Sequence, residues 1–159
     1  SYMKEFQNKL MDNNKIRYVP LNNVSINRRL LLSNPMNHIS VIFKKDIIKK
    51  NNQENQYFYP PITGFEDYAL WIKLIKSGFK FKNIPIVTVY ARVGKSMLKR
   101  RGGIKYIINE LKFRKYIFKY LNLKEKLLSL IISIIRIIAF SSPLKLKSFI
   151  YKIIRILLR

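Results

Sequence analysis

"ITGFEDYALWIKL", residues 62–74, decides how the chain is read. Gly64 breaks the backbone, Glu66 and Asp67 follow, and apolar residues then recur at helical spacing as far as Gly78. The pattern predicts a helix over 65–77 with both carboxylates in its first turn and a glycine at its C-terminal cap. The chain has 32 Lys and Arg against 8 Asp and Glu, so two adjacent acids among Phe65, Tyr68 and Trp71 stand out by position. The positive end of the helix dipole stabilises negative charge there. An ionised, oriented carboxylate beside apolar rings is suited to take a proton from a hydroxyl. Trp71, one turn after Asp67 on the same face, is placed to stack on a sugar or nucleobase. The plain alternatives are an acidic cap for the helix and core packing for the indole.

Composition narrows the classes. A chain of 159 residues is one domain with room for a real core and an appendage, and 48% hydrophobic residues exclude a disordered chain. There is no cysteine, which removes disulfides, thiolate metal sites and cysteine nucleophiles, and one histidine, His38, cannot make a His-rich metal site. The net charge of +24 attracts nucleic acid, anionic lipid or phosphorylated ligands. Abundant Lys, Asn and Ile fit an AT-rich coding sequence, so arguments from position outweigh arguments from bulk charge. Residues 1–20 hold no apolar signal-peptide core. The start at Ser1 is expected to be the edge of a longer gene product.

Along the chain, residues 1–20 read as a short helix and a loop ending at Pro20. "NNVSINRRLLL" (22–32) reads as a helix closed by Asn34-Pro35, and "HISVIFKKD" (38–46) as a buried strand. "YFYPPITG" is irregular. Residues 79–94 predict a short strand, a turn near Asn83–Pro85 and a second strand to about Val93. "KSMLKRRGG" (95–103) is a basic loop, and 104–120 is helical.

After Leu123 the chain becomes intensely apolar, in "KEKLLSLIISIIRIIAFSS". The uninterrupted run falls short of the ~20 residues of a membrane span, and Arg136 interrupts it. On a helical wheel Lys126, Ser129, Ser133 and Arg136 share one narrow stripe. Ser142-Pro143 supplies an N-cap and first-turn proline for a further helix, in which Lys145, Ser148, Lys152, Arg155 and Arg159 share another. Two helices with a thin basic face and a broad apolar face predict a place in a membrane interface. Residues 95–159 carry 17 Lys and Arg against 2 Glu, a net of +15, which favours anionic lipid. The alternative is a helical hairpin packed on its own core.

Four blocks carry a resemblance: "NPMNHISVIFKKD" (34–46), "FEDYALWIKLIKSGFKFKNIP" (65–85), "VYARVG" (89–94) and "MLKRRGG" (97–103). In this order and spacing they resemble the C-terminal half of a family 2 (GT-A) glycosyltransferase, of the bacterial exopolysaccharide and O-antigen type typified by amylovoran biosynthesis. The resemblance runs from about residue 20 to 120. It implies that Asp67 takes the proton of an acceptor hydroxyl, which attacks the anomeric carbon of a nucleotide sugar and inverts it. Glu66 then orients the site or contacts the acceptor. Asn37 and His38 fall on the acceptor side. Arg100 and Arg101, with Arg92 as a weaker candidate, reach the diphosphate, where guanidinium forks suit the developing charge. Plainer roles stand beside these: a strand-entry residue for His38 and a solvated basic patch for the arginines.

The chain also departs from the pattern. Such enzymes hold Mg²⁺ or Mn²⁺ on a D-x-D motif in an N-terminal βαβ half. Here the only aspartates are Asp12, Asp46 and Asp67, none in that spacing. The expectation is an α+β fragment of an α/β GT-A fold, cut to two to four strands with exposed edges. Residues 1–122 form the acceptor-side half and 123–159 a membrane-associating amphipathic tail. The fragment alone is expected to transfer no sugar. The expected partners are a nucleotide-sugar donor, a glycan or lipid-linked acceptor and an anionic membrane, at the cytoplasmic face of the bacterial inner membrane. Two other classes compete. One is a basic nucleic-acid-binding protein, disfavoured because the charges lie beside broad apolar faces and no nucleic-acid motif occurs. The other is a membrane-interface protein without chemistry.

Overall fold

The computed structural model describes residues 1–7, 15–44, 46, 47, 58–93, 103–143, 146, 149, 150 and 153. Among these residues it is α+β: a small mixed sheet and four longer helices gathered round one of them. The sheet comprises β1 (Tyr2–Phe6), β2 (Lys15–Arg17) and β3 (Val87–Arg92), in the order β2-β1-β3. β1 pairs antiparallel with β2 (Met3 opposite Arg17) and parallel with β3 (Met3 opposite Val89).

Helix α1 (Asn23–Arg29) starts where Asn22 Oδ1 accepts from the Ser25 amide at 2.9 Å, and ends on Arg28 and Arg29, whose charges suit the negative end of the dipole. Ile26 and Leu30, four apart, point inward and are buried. Helix α2 (Glu66–Lys76) is the centre of the fold, with seven of its eleven residues buried. A helix apolar on nearly every side belongs inside a core. Gly78 (φ +87°) ends it in a Schellman turn: its amide donates to Ile75 O at 3.1 Å, and Phe79 N to Leu74 O at 3.1 Å. Helix α3 (Gly103–Ile117) lays Phe113 and Ile117 on α2, and a 3₁₀ turn (Phe118–Tyr120) leads to α4 (Leu123–Ser141). α4 opens on a capping box: Asn122 Oδ1 accepts from Glu125 N at 3.0 Å, and Glu125 Oε2 from Asn122 N at 3.2 Å.

Three expectations of local structure are corrected. Among the described residues, 1–20 supply two strands and no helix. Residues 38–46 make no strand: His38–Ser40 is a 3₁₀ turn and 41–44 runs on without a ladder partner. Val41 and Phe43 pack on the core from this irregular segment, so their alternation reflects burial without sheet pairing. Residues 79–84 form no strand either.

The largest departure concerns α4. The polar stripe expected to face outward faces inward. Ser129 and Ser133 are buried against α3. There Glu110, with no exposed surface, receives Arg114 Nε at 2.8 Å and a second guanidinium nitrogen at 2.6 Å, while Arg136 lies 3.6 Å from its other oxygen. Arg114 also donates to Ser129 Oγ at 2.9 Å. A buried carboxylate between two guanidiniums demands polar neighbours, and the stripe supplies them. Ser142 donates back to Ile138 O at 2.8 Å and is extended (φ -69°, ψ 158°), and the described residues beyond Pro143, at 146, 149, 150 and 153, are helical, in keeping with a further helix there. The second stripe, Lys145, Ser148, Lys152, Arg155 and Arg159, lies outside the described residues.

Candidate active site

The carboxylate pair is delivered by a turn. Phe65 N donates to Ile62 O at 2.9 Å, and Gly64 adopts φ +80°, a conformation that L side chains resist. Phe65 then stacks on Phe113 at 4.9 Å, which anchors the helix entry. Glu66 and Asp67 follow as the first two residues of α2, both half-buried.

Neither acid closes the helix end by side-chain hydrogen bonding among the described residues; Phe65 occupies the cap position without one. Asp67 is instead engaged from the side, where Asn34 Nδ2 donates to its Oδ2 at 2.8 Å. Asn34 sits after α1, its side-chain amide oxygen accepting from Met36 N at 3.1 Å. The capping alternative therefore does not describe Asp67.

Glu66 and Asp67 line an open hollow of about 280 Å³ together with His38 and Tyr59. That volume is near the lower end of small-molecule sites. His38 is exposed and meets the Tyr59 ring edge-on at 5.6 Å. Burial, and secondarily the negative charge of Asp67, raise the pKa of Tyr59 above the ordinary phenol value. Its hydroxyl therefore remains a donor at neutral pH. The wall thus combines two acids, an imidazole and a phenol, groups suited to binding and deprotonating a polyhydroxylated ligand.

Three predicted site residues, Trp71, Asn37 and Arg92, do not line the hollow. Trp71 has no exposed surface, lies stacked on Phe43 at 5.5 Å and takes Phe81 edge-on at 5.9 Å. It cannot offer a face to a sugar; it underlies His38, 6.1 Å away, as part of the core. Asn37 is also buried and donates to Ser1 O at 2.7 Å, joining β1 to the 3₁₀ turn. Arg92 is exposed at the far end of β3, over the Phe6 ring at 5.4 Å. It lies four residues, about 13 Å at strand rise, beyond Thr88, whose hydroxyl meets Ser1 near that turn. It does not line the hollow. Arg100 and Arg101 lie outside the described residues. Asn34 and Tyr59 were not anticipated; Asn34 opens the "NPMNH" block, the only signal that could have marked it.

Among the described residues no group of three His, Cys, Asp or Glu is placed to hold a metal ion. The residues around the hollow do not fit the expected Mg²⁺ or Mn²⁺, and no step below runs through one.

The fold thus carries an acidic pair at a helix start, facing an open hollow. Its relatives are transferases. The chain is 35% identical over 155 residues to the UDP-Gal:alpha-D-GlcNAc-diphosphoundecaprenol beta-1,3-galactosyltransferase of Escherichia coli, which covers 96% of this chain and 53% of that protein. It is 31% identical over 97 residues to the amylovoran biosynthesis glycosyltransferase AmsE of Erwinia amylovora, covering 61% of this chain and 35% of the relative. An uncharacterized glycosyltransferase of Haemophilus influenzae matches at 39% over 71 residues, 44% of this chain and 24% of the relative. The chain thus spans about half the length of the first relative and less of the others. No family model and no solved structure matches. The chain is related to glycosyltransferases of bacterial polysaccharide biosynthesis, as its ordered blocks implied.

Proposed function

We propose that the chain forms the acceptor side of an inverting, family 2 glycosyltransferase of GT-A type that extends a lipid-linked glycan in surface-polysaccharide synthesis. The observation that carries this reading is the carboxylate of Asp67, aimed by Asn34 and lining the hollow with Glu66, His38 and Tyr59. Asp67 takes the proton from the acceptor hydroxyl. The oxygen attacks the anomeric carbon of a nucleotide sugar from the face opposite the diphosphate. The bond from that carbon to the diphosphate oxygen breaks, the electron pair leaves with the nucleotide, and the configuration inverts. Glu66 holds a second acceptor hydroxyl, and His38 and Tyr59 supply further hydrogen bonds. Arg100 and Arg101 neutralise the departing diphosphate. The galactosyl donor and diphosphoundecaprenol-linked acceptor named for the E. coli relative support a nucleotide-sugar and lipid-linked pairing here, at the cytoplasmic face of the inner membrane. Without a D-x-D pair, the 159-residue chain alone is proposed to transfer no sugar.

The test is a chimera in which this chain replaces the matching region of the E. coli galactosyltransferase. Transfer by the chimera and a loss of roughly 10²–10⁴-fold in Asp67→Asn are expected, the range of a general base. Full activity in Asp67→Asn would sink the reading.

A further inference from the structure

The α4 helix is inverted relative to a helix on a water-facing surface. Its polar residues Ser129, Ser133 and Arg136 face Glu110 and Arg114. Its outer arc holds Leu123, Leu127, Ile131, Ile134, Ile135 and Ile138, each between 49% and 83% exposed. Water-soluble monomers rarely leave so broad a contiguous apolar face bare. No described helix is long and apolar enough to cross a membrane.

We infer that the outer face of α4, exposed because its polar stripe is locked onto the Glu110–Arg114 pair, lies flat in the interface of an anionic lipid bilayer. Charge selects this occupant. A second copy would bring two chains of net charge +24 face to face, whereas an anionic bilayer has the opposite sign. Exposed cations accompany it: Lys124 stands at the start of the apolar arc, and Lys112, Lys115 and Lys119 are exposed on the neighbouring α3 and the turn after it. By helical spacing Lys124 lies two turns before Ile131, on the same arc, where its stem can lie along lipid with the ammonium at the headgroups. The geometry is that of an interfacial helix with its apolar side immersed. The contact differs from the sequence-based expectation, since the stripe of α4 contributes no charge to the lipid side. It rests on the reading above only for the side of the membrane; the surface itself is independent of sugar transfer.

The chain has no native cysteine, so single labels report cleanly. An environment-sensitive fluorophore is placed on Ile134→Cys of the full chain, with Lys82→Cys as the remote control. Vesicles of phosphatidylcholine with about 30 mol% phosphatidylglycerol are titrated against pure phosphatidylcholine. The expected result is a blue shift at position 134 alone, only with vesicles and stronger with the anionic ones. In Ile131→Asp/Ile135→Asp, vesicle affinity falls at least tenfold, while the emission of the single, buried Trp71 certifies the fold. If that variant does not fold, the two labels decide. An equal shift at both labels overturns the inference. So does unchanged affinity in the aspartate variant. A shift without vesicles also overturns it: if concentration-dependent, a second copy covers the face; if not, another segment of the same chain does.

Discussion

Asn34 Nδ2 donates to Asp67 Oδ2 across 2.8 Å, joining the segment after α1 to the first turn of the central helix. The contact turns the carboxylate away from its own helix end and toward the hollow it shares with His38 and Tyr59. Asn34 is thereby a positioning residue for the proposed base. In the chimeric enzyme, Asn34→Ala should lower turnover about 10-fold, by misplacement of the base, with little change in donor KM. Asn34→Asp should do worse, since two carboxylates would meet at that distance. A normal turnover in both variants would remove Asn34 from the site.

The buried Glu110 should dominate stability in the α3–α4 hairpin. Glu110→Ala leaves Arg114 with its cation enclosed and its strongest acceptor gone, which costs about 3–5 kcal/mol for a broken buried pair. Replacing both partners, as Glu110→Leu/Arg114→Met, should recover much of that loss. Urea unfolding followed by Trp71 emission measures both, and a single-variant cost below about 1 kcal/mol would contradict the packing described.

Trp71 separates core from platform. Trp71→Ala should destabilise by about 3–5 kcal/mol, the range for emptying a large buried aromatic site. Trp71→Phe, which keeps the stack on Phe43, should cost less and leave acceptor KM in the chimera within about twofold. A selective rise in acceptor KM for Trp71→Phe would restore the sugar-stacking role.

Tyr68 predicts an alkaline limit. Burial raises its pKa from 10.0 to about 12, and its hydroxyl donates to Leu30 O at 2.5 Å. The folded state therefore keeps the proton after the unfolded chain has lost it. The resulting stability is intact below pH 10 and is lost as pH climbs from 10 through about 12. The loss across this window approaches about 2–3 kcal/mol at ~1.4 kcal/mol per pH unit. Unfolding midpoints of wild type and Tyr68→Phe, compared from pH 9 to 12, isolate this from the shared deprotonation of the lysines. The variant should show the shallower alkaline slope.

Several elements were legible because their signals are local. The α2 boundaries follow from Gly64, Gly78 and an apolar run that allows no other pairing of faces. The Asn22 cap of α1 and the Asn122–Glu125 box of α4 are chemical statements made within four residues. Strand β1 was not legible, because "YMKEF" acquires its conformation from partners at 15–17 and 87–92, and a lone stretch of five residues does not announce them. In the site, the acidic pair was visible as an anomaly of charge, whereas Asn34 and Tyr59 are ordinary residues made relevant by approach across 33 and 8 positions.

By itself the sequence determined which residues of α4 share a face, since a 3.6-residue repeat arranges them without outside help. It could not determine which face turns inward. Burial of apolar area favours the aliphatic arc, but the Glu110–Arg114 pair that α3 presents to α4 favours the serines and Arg136. That competition is between groups on different helices, and the electrostatic demand of an enclosed carboxylate overrode the hydrophobic pattern, leaving the aliphatic side for another partner.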